Sequence, residues 1–163
     1  MTTAKHVIEA ARQRGWSIAT AESCTGGLIA AALTSVPGSS VSFLGGIVAY
    51  DNQAKHDLLN VSETLLRTHG AVSAPVAEAM AVGGREALGA DICVSVTGIA
   101  GPSGGRPDKP VGTVYFGLAT RTRTMTFHEV FTGEDRDGVR TSTVKSALGY
   151  LNGVIETQSG DIG

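Results

Sequence analysis

The sequence has little of what marks secreted or membrane proteins. It holds only two cysteines, Cys24 and Cys93, and their number and spacing fit neither a disulfide framework nor a metal-binding motif. The N-terminus lacks an apolar signal core, and no run approaches the roughly 20 apolar residues that cross a bilayer. These absences predict a cytoplasmic protein that does not bind membranes and needs no metal or other cofactor.

Basic charge and aromatic side chains are also scarce. The chain carries 13 Lys and Arg against 15 Asp and Glu, a net charge of −2, and only 5% of its residues are aromatic. Proteins that bind nucleic acids present clustered cations to the phosphates and aromatic rings to the bases. The composition therefore argues against a nucleic-acid partner.

The order of the predicted elements indicates the fold class. Strands alternate with helices at first, and a hairpin and a closing helix follow, which predicts a three-layer α/β/α domain with a mixed parallel/antiparallel sheet. We expect residues 1–157 to form this single domain and residues 158–163 to form a frayed tail. Strands are predicted at 16–21, 43–50, 91–97, 113–119 and 124–131, and helices at 4–14, 24–36, 52–60, 62–70, 73–89 and 135–155.

Glycine is abundant, at 22 of 163 residues against the usual ~7%, and it concentrates beside the ends of these elements. In open sheets of this kind, ligands bind beyond the carboxyl ends of the strands. That rule selects three segments, 21–27, 50–55 and 97–105. All three are rich in glycine or polar side chains, so we expect them to form the functional site.

The first segment, within "ATAESCTGGLI", raises two alternatives for Ser23. Its hydroxyl is either an N-cap or a nucleophile at the positive end of the predicted helix. Gly26 and Gly27 would lie in the first turn of that helix, where each costs roughly 1 kcal/mol against alanine. Without side chains they leave the backbone N–H groups of residues 24–27, including Thr25, open to an anion or a developing oxyanion.

Cys24 is a rival nucleophile, because a helix N-terminus lowers the pKa of a thiol. A thiol nucleophile usually needs a histidine partner, however, and none of the four histidines is tied to this turn by the sequence. We therefore favour a packing role for the Cys24 side chain.

The second segment, "YDNQAKHD", offers a base. Lys55 is either a solvated surface lysine or a base whose pKa burial lowers. With no Ser-His-Asp pattern in the sequence, Ser23 and Lys55 form the most plausible nucleophile and base, and His56 is a second candidate base. Tyr50 and Asn52 either orient this pair and the substrate or cap the turn.

The third segment, "TGIAGPSGG", matches neither a P-loop nor a dinucleotide-binding fingerprint. Its glycines, Gly98 and Gly101 among them, are at most a generic cradle for phosphate or an oxyanion. The Thr97 hydroxyl either donates to a ligand or stays within the strand.

Two arginines near the start of the last predicted helix are candidates for anion binding. Arg140 opposes the helix dipole there. Its charge is balanced either by Glu134, Asp135 or Asp137 or by an anionic ligand. Arg136, one turn earlier, is the second candidate.

Taken together, seven motifs closely resemble the CinA C-terminal domain family over about residues 5–155. They are "TAESCTGG", "VPGSS", "GGIVAYDNQAK", "HGAVS", "VTGIAGPSGG", "KPVGTV" and "GEDRDGVR". Characterised members are nicotinamide-nucleotide amidases, and this chain resembles their stand-alone form. The resemblance implies hydrolysis of nicotinamide mononucleotide (NMN) to nicotinate mononucleotide and ammonia in pyridine nucleotide salvage, and family habit favours a homodimer or higher homo-oligomer.

The resemblance also implies roles for individual residues. Ser23 would be the nucleophile and Lys55 the base, with Tyr50 beside them in the catalytic group. Arg140 and the loop 98–105 would hold the 5′-phosphate. The remaining implied substrate contacts are Cys24, Thr25, Gly26, Gly27, Asn52, Thr97, Gly98 and Gly101.

A different class of function is compatible with the same motifs. The chain would then be a non-catalytic nucleotide-binding or sensor module linked to competence or the DNA-damage response, as the family name suggests. In that case Ser23 and Lys55 would be a helix cap and a surface charge. A purely structural role is disfavoured, because the glycines concentrate at strand ends.

Overall fold

The computed structural model describes residues 1–157, so the predicted tail 158–163 lies outside the described residues. It confirms the predicted fold class, an α/β fold with a mixed sheet. The helices are α1 (Ala4–Arg14), α2 (Leu28–Thr34), α3 (Asn52–Leu59), α4 (Glu63–His69), α5 (Ala74–Leu88) and α6 (Arg136–Thr157), and the strands are β1 (Ile18–Glu22), β2 (Phe43–Val48), β3 (Ile92–Gly98), β4 (Thr113–Thr120) and β5 (Thr124–Val130).

The five strands of the described chain form one sheet in the order β2-β1-β3-β4-β5. Strand β1 lies between β2 and β3 and is parallel to both, whereas β4 is antiparallel to β3 and β5. The carboxyl ends of β1, β2 and β3 therefore meet at one edge. The three segments predicted to bind a ligand all begin there.

Helices cover both faces of the sheet because its central strands are buried on both sides. Every residue of β1 is buried, the pattern of a parallel strand enclosed by helices. On one face Ile18 and Phe116 belong to a core with residues of α1, α2 and α6. On the other face Ala21 and Cys93 belong to a core with residues of α3, α4 and α5.

The glycine pair in β2 marks a close approach, as its position in a predicted strand suggested. A Cβ atom at Gly46 would collide with the hydroxyl of Thr20 in β1 and lie 3.3 Å from the Cβ of Ala30 in α2. Glycine thus lets α2 pack closely over the β1–β2 pair. No helix within residues 1–157 is both long and apolar enough to span a bilayer.

Candidate active site

Ser23 and Lys55 meet at the sheet edge. The Lys55 Nζ donates to the Ser23 Oγ over 3.0 Å and to the Tyr50 carbonyl over 2.9 Å. The Ser23 hydroxyl also lies 3.4 Å from the same Tyr50 carbonyl, which it can reach as a donor. Lys55 is 1% exposed and Ser23 is 7% exposed, so the lysine is not a solvated surface residue.

The parallel pairing of β1 and β2 accounts for this meeting. Ser23 directly follows β1 and is held to β3 by its N–H, which donates to the Val96 carbonyl. Beyond β2, the Asp51 side chain caps α3 by accepting from the Ala54 N–H over 2.7 Å. Lys55 then lies one turn into α3, on the face that packs toward the sheet.

Burial lowers the pKa of Lys55 from its ordinary value, because desolvation disfavours the ammonium form, and nearby Asp51 opposes this only partly. Both hydrogen-bond partners of Nζ are neutral oxygen atoms. The site therefore favours a neutral amine more than water does. A neutral amine could accept the Ser23 proton over the same 3.0 Å separation.

The turn that follows Ser23 differs from the prediction. Helix α2 begins at Leu28 and not at residue 24, and Gly26 and Gly27 precede it with φ values of 59° and 106°. Such φ values belong to the left-handed region, which glycine adopts without steric cost. The glycine pair is thus explained first by the shape of the turn, and the expectation that it lies in the first turn of a helix was wrong.

Ser23 is also not the cap of α2. The residue at the N-cap position is Gly27, which has no side chain to offer. The carboxylate of Glu22 caps the helix instead, accepting from the N–H groups of Ile29 and Ala30 over 2.9 and 3.0 Å. The Ser23 hydroxyl is therefore free of the capping role.

Three backbone donors in the turn are unpaired within the described chain. Gly26 N–H donates to the Ser23 carbonyl and Leu28 N–H to the Thr25 carbonyl, but the N–H groups of Cys24, Thr25 and Gly27 donate to no other residue among residues 1–157. Unpaired N–H groups directly after a nucleophile are the usual donors of an oxyanion hole.

The side chains of Cys24 and Thr25 point into the protein. Burial raises the pKa of the Cys24 thiol to about 12, so it is protonated near neutral pH and is a poor nucleophile. Thr25 is fully buried, and its hydroxyl donates to Glu22 Oε1 over 2.6 Å. Only the backbone of these two residues is available to a substrate.

Of the other candidates in the second segment, only Tyr50 contacts the Ser23–Lys55 pair. The Tyr50 carbonyl lies at the site, whereas the residue as a whole is 59% exposed and its hydroxyl accepts from Arg136 Nη2 over 3.0 Å. Asn52 is exposed at the start of α3. His56 bonds through Nδ1 to the Val61 carbonyl, and the structure does not bring it to Ser23.

Thr97 and the glycine loop lie at the carboxyl end of β3, and β1 lies between that strand and β2. The Thr97 hydroxyl is buried and donates to the Ala71 carbonyl over 2.8 Å, so it holds the loop before α5 and is not free for a ligand. Gly98 ends β3, and a Cβ there would lie 2.9 Å from the Thr113 carbonyl. Gly101 offers its carbonyl to Arg136 Nη1 over 2.7 Å.

Both candidate arginines reach the site from α6. Arg140 donates to the carbonyls of Cys24 and Thr25 over 3.1 and 3.3 Å. Arg136 bridges the Tyr50 hydroxyl and the Gly101 carbonyl. Neither forms an ion pair with a carboxylate of residues 1–157, so two cations without acidic partners face the same edge.

Comparison with known proteins decides the family. Residues 1–155 match the sequence model of the CinA C-terminal domain. The chain belongs to the CinA C-terminal domain family. This membership confirms the resemblance that the motifs predicted.

Relatives of this CinA-family chain include a nicotinamide-nucleotide amidohydrolase and several CinA-like proteins. A nicotinamide-nucleotide amidohydrolase PncC of Shigella flexneri is 48% identical over 152 residues, which cover 93% of this chain and 92% of the relative. A CinA-like protein of Citrifermentans bemidjiense is 53% identical over 147 residues, covering 90% of this chain. The chain spans about a third of the length of such CinA-like relatives.

The fold is shared with solved members of the family. The crystal structure of the competence/damage inducible protein CihA from Agrobacterium tumefaciens superposes with a TM-score of 0.90 at 41% sequence identity, covering 93% of this chain and 92% of that one. Within residues 1–157, no three His, Cys, Asp or Glu side chains lie together in a way that could hold a metal ion.

Proposed function

We propose that this chain is an amidohydrolase that converts NMN to nicotinate mononucleotide and ammonia, with Ser23 as nucleophile and Lys55 as base. The observation that carries the proposal is the buried Lys55 amine 3.0 Å from the Ser23 hydroxyl, next to a turn with unpaired N–H groups. The PncC relative, which aligns over nearly the whole of both chains, supports the choice of substrate.

The first chemical step forms an acyl-enzyme. Neutral Lys55 takes the Ser23 proton as Oγ attacks the carboxamide carbon of NMN, and the resulting oxyanion accepts from the N–H groups of Cys24, Thr25 and Gly27. The tetrahedral intermediate collapses with cleavage of the C–N bond. The leaving amine takes the proton from Lys55 and departs as ammonia.

The second step regenerates the enzyme. Neutral Lys55 now deprotonates a water molecule, which attacks the ester carbonyl on the same oxyanion donors. The ester bond to Ser23 breaks, the serine recovers its proton from Lys55, and nicotinate mononucleotide is released. The Tyr50 carbonyl, which accepts from Nζ, keeps the amine directed at Ser23 throughout. Placing this reaction in pyridine nucleotide salvage is part of the proposal.

A rate that rises with pH is the expected signature of Lys55. Because burial lowers its pKa below the ordinary value of about 10.5, kcat/KM is expected to rise with pH and to level off below pH 10.5 as the amine loses its proton. The measurement is kcat/KM for ammonia release from acidic to alkaline pH. A rate that falls with rising pH over this window would contradict a lysine base.

For the 5′-phosphate we propose Arg136 in preference to Arg140. Both guanidinium-to-carbonyl bonds of Arg140 hold the turn around Cys24. Arg136 is exposed and bonds only to a hydroxyl and a carbonyl. A phosphate dianion would replace these neutral acceptors with stronger, charge-assisted bonds.

Arg136→Gln is expected to raise KM for NMN by about 10- to 100-fold with a much smaller change in kcat, because a hydrogen bond to a charged group contributes about 1.5–3 kcal/mol. Hydrolysis of nicotinamide riboside, which lacks the phosphate, should not respond to this change. Arg123→Gln, at the β4–β5 turn on the opposite end of the sheet, is the matched control. If the KM for NMN of Arg136→Gln equals that of the control, Arg140 and not Arg136 would be assigned to the 5′-phosphate.

The function itself is tested with purified wild-type protein in the presence of a metal chelator. Formation of ammonia and nicotinate mononucleotide in equal amounts from NMN would support the proposal. Saturable NMN binding without turnover would instead support the non-catalytic sensor, which no contact in the site favours. Activity that returns only when zinc is added would overturn the metal-free mechanism.

A further inference from the structure

The carboxylate of Glu22 is the best-connected polar group beside the nucleophile, and the sequence predictions omit it. It is 1% exposed and accepts three hydrogen bonds, from the Thr25 hydroxyl, the Ile29 N–H and the Ala30 N–H. It forms no ion pair with a cation in residues 1–157. A buried carboxylate is costly to desolvate unless such bonds compensate it.

All three donors belong to the loop and helix that follow Ser23. Glu22 directly precedes the serine, and its side chain reaches forward over the turn 23–27 to the start of α2. It thereby ties the end of β1 to the start of the helix with the nucleophile between them. Arg140 bonds to two carbonyls of the same turn, those of Cys24 and Thr25.

The bonds to Glu22 and Arg140 leave a small set of backbone donors in the turn without a partner. With the Thr25 hydroxyl and the two helical N–H groups taken by Glu22, and the two carbonyls taken by Arg140, the unpaired donors of the turn are the N–H groups of Cys24, Thr25 and Gly27. We propose that Glu22 is a positioning residue, which holds the turn 23–27 so that these N–H groups face the oxyanion formed on attack by Ser23. The inference rests on the proposed serine chemistry.

The sign of the effect separates positioning from simple electrostatics. A negative charge beside the turn disfavours a second anion there, and Glu22 indeed contributes to raising the pKa of the Cys24 thiol. If Glu22 acted only through its charge, neutralising it would help an oxyanion and speed the reaction. If it acts by position, neutralising it slows the reaction.

Glu22→Gln makes this distinction with little change of shape. The amide oxygen can still accept from Thr25 and Ile29, but the amide NH₂ would face the Ala30 N–H as a second donor. We expect kcat to fall by about 10- to 100-fold with KM nearly unchanged, since small misplacements of catalytic groups have effects of this size. Thr25→Val, which removes one of the three bonds without touching the carboxylate, should lower kcat in the same way by a smaller factor.

Asp91→Asn is the matched control. The Asp91 carboxylate also accepts three bonds, from the Ser17 N–H and hydroxyl and from Arg121, but it does so at the opposite end of β1 and β3. Its replacement should lower the unfolding temperature and leave kcat unchanged. The unfolding temperature of each variant shows that the protein compared is folded.

A second readout keeps this inference separate from the choice of substrate. Phenylmethanesulfonyl fluoride sulfonylates activated serines, and the rate of labelling at Ser23 does not depend on NMN. Labelling of wild type at Ser23, with slower labelling in Glu22→Gln and Thr25→Val and an unchanged rate in Asp91→Asn, supports the inference. Labelling at the wild-type rate or faster in a folded Glu22→Gln protein overturns it, whereas absence of Ser23 labelling in wild type overturns the serine mechanism beneath it.

Discussion

Ser23→Ala is expected to lower kcat for NMN hydrolysis at least ~100-fold, since loss of a nucleophile removes the covalent route altogether. The hydroxyl lies 3.0 Å from Lys55 Nζ and caps no helix, so its removal should leave the turn intact. NMN binding, measured by calorimetry, should persist. The measurement is steady-state ammonia release by both proteins.

Two controls accompany Ser23→Ala. Ser35→Ala makes the same change at the far end of α2, where the hydroxyl bonds only to the Ala32 carbonyl, and kcat should hold. Cys24→Ala tests the rival thiol and should cost far less than Ser23→Ala. A larger loss of kcat in Cys24→Ala than in Ser23→Ala would identify Cys24 as the nucleophile. Equal rates in wild type and Ser23→Ala would indicate direct attack by water.

Lys55→Met is expected to abolish activity and to stabilise the protein. Methionine is similar in size to the lysine side chain but cannot accept a proton from Ser23. The buried ammonium has only neutral partners, so replacing it with an apolar group should add about 1 kcal/mol to the free energy of unfolding and raise the Tm by about 2–4 °C near neutral pH.

The pH dependence of this gain has a definite sign. Because the folded-state pKa of Lys55 is lowered, the unfolded state binds its proton more tightly, and the wild type gains stability as pH rises through the folded pKa toward about 10.5. The stability advantage of Lys55→Met should therefore shrink at alkaline pH. Thermal unfolding at neutral and alkaline pH measures it. A Lys55→Met protein that retains activity, or that melts below wild type at neutral pH, would contradict this assignment of Lys55.

The sheet edge that holds Ser23 and Lys55 was accessible from sequence, because it depends on simple periodicity. The choice of these two residues as nucleophile and base came from the absence of a Ser-His-Asp pattern and from the family motifs. Alternating strands and helices require a parallel sheet, and parallel strands bring their carboxyl ends to one edge. Ser23 and Lys55 follow two such strands. The fold class and the family are confirmed, whereas the catalytic roles, the homodimer and the cytoplasmic location stay predictions.

The start of α2 could not be found from local rules. Capping patterns look for a polar side chain at the N-cap position, but the residue there is Gly27, and the capping carboxylate belongs to Glu22 on the preceding strand. The only signal in the sequence is a charged residue at the end of an otherwise uncharged strand. A buried charged residue of this kind needs hydrogen-bond partners, and only the tertiary structure shows which groups these are.

The remaining site predictions were limited because the sequence does not show in which direction a side chain points. Tyr50 and Thr97 were selected for their hydroxyl groups, yet Tyr50 serves the site through its carbonyl and Thr97 is bonded to Ala71. The preference for Arg136 over Arg140 as the phosphate-binding residue likewise depends on the groups to which each arginine bonds in the folded protein. A motif locates a residue on the chain, whereas these contacts depend on loops distant in sequence.

The acyl-enzyme on Ser23 is tested most directly by mass spectrometry of the enzyme quenched during turnover of NMN. We expect an ester of nicotinate mononucleotide on the peptide containing Ser23, localised by fragmentation to Ser23 and absent from Ser23→Ala and Lys55→Met. An adduct localised to Cys24 would contradict a serine nucleophile. Rapid NMN turnover with no adduct, combined with a failure of added hydroxylamine to yield the hydroxamate, would contradict an acyl-enzyme altogether.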